Sequence, residues 1–127
     1  MKRSNLFLTA FLLLTPFFLA AQSHLGDWQW SQQTPDGATI TSTMSFKADG
    51  TYAVDFESDG SPEVMGVYTY ENGNMTIKDT SEGACKDVEA VYALKIEGNK
   101  AMVKMVSDPC EVRAGDNNGE VMTLTRK

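Results

Sequence analysis

From Asp27 onward, apolar and polar residues alternate in short runs separated by turn residues. A period of two is that of strands with one buried face. Thr39–Phe46 is the clearest run: Ile40, Ser42, Met44 and Phe46 share one face, and Thr39, Thr41, Thr43 and Ser45 the other, solvated one. Asp27–Gln33 puts Trp28 and Trp30 together, Thr51–Glu57 puts Tyr52, Val54 and Phe56 together, and Glu63–Glu71 aligns Val64, Gly66, Tyr68 and Tyr70. Gly66 inside a strand marks a bulge or a close approach. Asn74–Lys78 carries Met75 and Ile77 on one side; Asp87–Glu97 carries Val88, Ala90, Tyr92, Leu94 and Ile96; Ala101–Ser107 and Glu120–Arg126 complete the series. The connectors Thr34-Pro35-Asp36-Gly37, Lys47-Ala48-Asp49-Gly50, Asn72-Gly73 and Gly98-Asn99 are turn sequences. No run after Trp28 has a helical period, so no substantial helix is expected. Eight strands joined by short hairpins predict an all-β, eight-stranded up-and-down antiparallel barrel, because only closure removes the exposed edges.

At the start of the first strand stand Gly26 and Trp28. Glycine permits a sharp backbone turn, and the Trp side chain can then lie across the open end of a barrel while its N–H keeps a partner. This is a floor.

Ahead of the strands, Lys2 and Arg3 precede a nearly unbroken apolar run from Leu6 to Ala21, followed by the small-x-small sequence Ala21-Gln22-Ser23. This is the layout of a secretory signal peptide. The run falls short of the roughly 20 residues of a membrane span and Pro16 interrupts it. Residues 1–23 are therefore read as a signal peptide and 24–127 as one domain, with cleavage after Ala21 or after Ser23 both open. No stable membrane insertion is expected after cleavage. The destination is the periplasm or the exterior.

Loss of Lys2 and Arg3 with the leader takes the net charge from −6 to −8. That balance argues against nucleic acid as a partner. In an exported chain the two cysteines, Cys85 and Cys110, read as a disulfide. No metal or cofactor is called for: the single histidine, His24, lies at the frayed start of the mature chain, and no Cys-x-x-Cys is present. With no base to place beside a nucleophile, an enzyme is not expected. Asp55, Glu57 and Asp59 are close in sequence, but Asp55 and Glu57 read as part of the solvated face of Thr51 and Asp59 as a loop residue. Asp116-Asn117-Asn118 reads as a polar hairpin rather than a calcium site.

Four short motifs run through the mature chain: Leu25-Gly26-Asp27-Trp28, Asp49-Gly50-Thr51-Tyr52, Gly66-Val67-Tyr68, and Asp108-Pro109-Cys110-Glu111-Val112-Arg113. Together they resemble the short bacterial lipocalin-like domains of the lipocalin superfamily. The resemblance implies a barrel with a Trp on the first strand covered by an Arg from the last, and Trp28 and Arg126 occupy the matching positions. The chain departs from the longer lipocalins in having Gly98-Asn99 where they carry a Thr-Asp-Tyr-like motif, and in having no helix after the last strand.

The inward face leaves two functions open. One is a binding protein for a small hydrophobic or amphipathic molecule, touched by Trp30, Met44, Tyr52, Phe56, Tyr68, Tyr92 and Met105. Methionine adapts to varied ligands, and buried tyrosine hydroxyls need partners. The other is a protein-interaction barrel with a filled core, such as an inhibitor of an exported hydrolase, whose acidic surface steers towards basic partners. A cavity of about 300 Å³ or more separates the first from the second.

Overall fold

Each alternating segment forms a strand in the computed structural model, which describes residues 23–115 and 119–127. The expected leader, apart from Ser23, and the Asp116–Asn118 hairpin tip lie outside the described residues. The strands are β1 (Gly26–Gln33), β2 (Thr39–Phe46), β3 (Thr51–Asp55), β4 (Val64–Glu71), β5 (Asn74–Asp79), β6 (Glu89–Glu97), β7 (Lys100–Ser107) and β8 (Val121–Arg126). They form a closed barrel in sequence order, every pair antiparallel. Closure falls on β1 and β8 through Trp28↔Arg126 and Gln29↔Thr125. A single four-residue helix, α1 (Glu111–Ala114), stands between β7 and β8. Among the described residues no helix is long and apolar enough to cross a membrane.

In this topology odd-numbered strands finish, and even-numbered strands begin, at the same end. That end, the rim, carries the loops 34–38, 56–63, 80–88, 108–115 and 119–120; the other end, the floor, carries the short turns 47–50, 72–73 and 98–99. Strand tilt connects the two. A row of paired residues runs Gly26↔Phe46↔Tyr52↔Gly66↔Asp79, from the first residue of β1 at the floor to the last residue of β5 at the rim. Closing a sheet into a barrel requires such a stagger.

The core is the inward set Trp28, Phe46, Tyr52, Val54, Tyr68, Met75, Ile77, Ala90, Leu94, Ala101 and Leu124, with Trp30, Met44, Tyr92 and Val103 packed at its edge. Two expectations are corrected. β3 ends at Asp55, short of Glu57, because the Asp55 carboxylate accepts the N–H of Gly60 at 2.7 Å and of Asp59 at 3.2 Å and bends the chain out of the sheet. Phe56 therefore lies in the following loop, 46% exposed, instead of lining the interior. That loop folds back over β2, where the Ser58 hydroxyl donates to the Thr41 carbonyl at 2.8 Å and pairs with the Thr43 hydroxyl at 2.7 Å. Thr43, read as solvated, is thus buried.

Candidate functional site

The floor is built by the N-terminal segment. The Arg126 guanidinium lies 4.2 Å from the Trp28 ring centre and donates to the carbonyls of Leu25 (2.9 Å) and Ser23 (2.7 Å). The Trp28 indole N–H donates to the His24 carbonyl at 2.9 Å. These bonds hold His24 across the floor, its ring 4.6 Å from that of Tyr70 and 5.4 Å from that of Tyr68. His24, expected to fray, is fixed. Tyr68 spends its hydroxyl proton on the Lys47 carbonyl at 2.6 Å. The 3.1 Å contact between His24 Nε2 and the Tyr68 oxygen must then be donated by the imidazole. Burial lowers the His24 pKa, since it disfavours the charged ring.

Among the described residues, the pocket at the centre of the barrel is small. A cavity of about 40 Å³ remains, bordered by Met44, Met75, Tyr92, Val103, Met122 and Leu124 among others. Drug-sized ligands occupy clefts of about 300–1,000 Å³. Of the expected ligand set, Met44 and Tyr92 border this space; Trp30, Tyr52, Tyr68 and Met105 do not. The tyrosine hydroxyls are also committed: Tyr52 to Asp79, Tyr92 to Asp108 and Tyr68 to the Lys47 carbonyl. Their need for partners is met within the barrel.

At the rim, a charged network closes one side of the mouth. The Arg113 guanidinium donates Nε to Asp108 Oδ2 at 2.7 Å and Nη2 to Asp108 Oδ1 at 3.0 Å and to the Val88 carbonyl at 2.9 Å. Its Nη1 lies 3.2 Å from Asp79 Oδ1 as a charge contact without good hydrogen-bond geometry. The Asp108 side chain is fully buried, and those of Arg113 and Asp79 nearly so. Burial by itself would raise the Asp108 carboxyl, but hydrogen bonds from Arg113, Tyr92 and the Cys110 N–H outweigh it and hold the group below the usual carboxylate range. Burial, and then the Asp79 hydrogen bond, push the Tyr52 hydroxyl far up, so it remains a donor. The Cys85–Cys110 disulfide, Cα–Cα 5.7 Å, ties the 80–88 loop to the entry of α1 beside this network. The Asp108 to Arg113 motif was visible in the sequence; nothing in the sequence singled out Asp79, at the end of β5, as its partner.

The remaining rim loops are braced by their own acids. The carboxylates of Asp55, Asp59 and Glu63 converge, with one oxygen of each within 4.8 Å of the others. They accept the N–H groups of Gly60, Ser61 and Phe56 respectively. Three such ligands fall short of the roughly six to eight oxygens of a calcium site, and bracing explains the convergence.

What distinguishes the rim is its exposed apolar residues. Among the described residues, the large hydrophobics left exposed are Ile40, Phe56, Met65, Val106, Val112, Val121 and Met122, all in rim loops or at rim strand tips, plus Val67 further down β4. Val112 reaches 76% exposure on α1. No protein-family profile, no curated protein and no solved structure matches this chain.

Proposed function

We propose that this is an exported protein-interaction barrel that works through its rim. The observation that carries the reading is the pairing of a small central pocket with exposed large hydrophobics gathered at one end. Apolar side chains clustered outside a core mark surfaces that meet other macromolecules. Export agrees with the Cys85–Cys110 bridge, which persists in oxidising compartments, and with the basic and apolar character of residues 1–23. Kinship with the lipocalin-like domains is part of the proposal; the Trp28–Arg126 stack and the closed barrel support it. Inhibition of an exported hydrolase is one activity this rim could perform. Carriage of a small apolar molecule fits less well, because about 40 Å³ holds no lipid-sized body.

The test combines two measurements on the mature protein. Photo-crosslinkers placed at Phe56 and Val112 should capture a discrete protein partner, whereas one at Lys100, at the floor, should not. Native mass spectrometry after mild purification should show no lipid-sized adduct. A stoichiometric small-molecule mass together with no rim-specific crosslink would overturn the proposal and restore the ligand carrier.

A further inference from the structure

Charge is divided unevenly between the two ends of the barrel. The rim loops expose Glu57, Asp59 and Glu63, then Glu82 and Asp87, then Glu111 and Glu120. Against these, the described part of the rim loops exposes one cation, Lys86, which already contacts Glu82 at 2.5 Å. Arg113 belongs to the same end, but its charge is consumed inside by Asp108 and Asp79. Near the floor the exposed charges balance, Lys47, Lys95, Lys100 and Lys127 standing against Asp27, Asp49, Glu71 and Glu97.

The acids and the exposed hydrophobics of the rim are interleaved. Phe56 is followed by Glu57, Val112 is preceded by Glu111, and Val121 is preceded by Glu120. Three separate positions around the mouth therefore offer the same pair, an apolar contact beside a carboxylate. Strands about 4.8 Å apart and tilted by about 40° put the rim of an eight-stranded barrel at about 16 Å across. A helix rising 1.5 Å per residue crosses that span in about 11 residues.

Resting on the rim-docking reading above, the geometry points to one class of partner: a cationic amphipathic polypeptide segment, its apolar face on Phe56, Val112 and Val121 and its Lys or Arg side chains on the flanking carboxylates. Opposite potentials speed and orient such an encounter, while apolar burial retains the complex. An acidic or uncharged segment with the same apolar face lacks the first of these. A bare polycation lacks the second.

Anisotropy of a labelled twelve-residue Lys/Leu amphipathic peptide, titrated with the mature protein, tests this. Binding should weaken at least tenfold between 50 and 300 mM salt. It should weaken at least tenfold in Glu57→Lys/Glu111→Lys, and by a similar factor in Phe56→Ser/Val112→Ser. All four positions are exposed, and unchanged melting curves confirm the fold. The same peptide with Glu for Lys should not bind, and oligolysine should bind far more weakly. If the Glu or a Gln version binds as tightly and only Phe56→Ser/Val112→Ser loses it, the cationic partner is overturned while the rim reading stands. If oligolysine binds equally, the amphipathic requirement is overturned. If no peptide binds and crosslinking from Phe56 and Val112 also fails, both readings are overturned.

Discussion

At Gly66 a missing side chain decides how two strands can be bridged. A β-carbon there would come within 2.6 and 2.7 Å of the Tyr52 ring and would also strike the Lys78 carbonyl. The bare backbone lets Tyr52 lie flat across β4 and reach Asp79 on β5. Of the two readings of a strand glycine, close approach is therefore the one realised. Gly66→Ala should cost about 2–3 kcal/mol as an overpacked core, read as a lower urea midpoint with an unchanged slope. Arg113 presents the opposite hazard. Arg113→Ala would leave Asp108 and Asp79 buried without their counter-charge, and breaking a buried pair in this way costs about 3–5 kcal/mol. A Tyr92→Phe change removes one hydroxyl donor to Asp108 and should cost nearer 1–2 kcal/mol. Equal losses in the two variants by chemical denaturation would contradict this ordering.

Among the elements, α1 is too short to hold itself. It has four residues and no side-chain cap. Its stability is borrowed from the Cys110 carbonyl, which accepts the N–H groups of Arg113 and Ala114 at 3.1 and 2.9 Å, and from the disulfide that fixes Cys110. The bridge spans a sequence separation of 25 residues, for which chain entropy gives about 3 kcal/mol. Cys85→Ser/Cys110→Ser should lower stability by about that amount. Amide exchange should accelerate first at residues 110–115 and only later in the strands, because the ladder itself does not depend on the bridge. Uniform acceleration across the barrel would show that the bridge holds the whole fold and not its rim.

For the whole molecule, the two ends respond to acid in different pH ranges. His24 has a lowered folded pKa. Its contribution to stability is complete above the unfolded value of about 6.5 and falls as the pH drops through the folded one. Asp108 is also depressed, so its contribution is complete above about 3.9 and is lost as the pH falls further. Melting curves should therefore show two steps of acid destabilisation. His24→Gln should remove the upper one and leave the lower in place. A variant that still loses stability as the pH drops below about 6.5, before the carboxylates titrate, would place the sensing group elsewhere.

Alternation of Val, Ile, Tyr, Thr and Met with polar residues, and turn pairs such as Asn72-Gly73, were enough to read the strands, their antiparallel order and the need for closure. These are local properties: side-chain direction has period two wherever a strand forms. Trp28 as floor and Cys85 with Cys110 as a bridge were legible for a similar reason, since few roles suit those residues at those positions. Three things were decided only by the tertiary structure. The stagger of the barrel carried Tyr52 from low on β3 to Asp79 at the rim. The Asp55 carboxylate turned Phe56 out of the sheet. Packing reduced the pocket bordered by Met44, Tyr92 and Met122 to about 40 Å³. Each depends on where distant segments meet once the sheet closes, and a tilt common to all the strands leaves no mark on the alternation within any one of them.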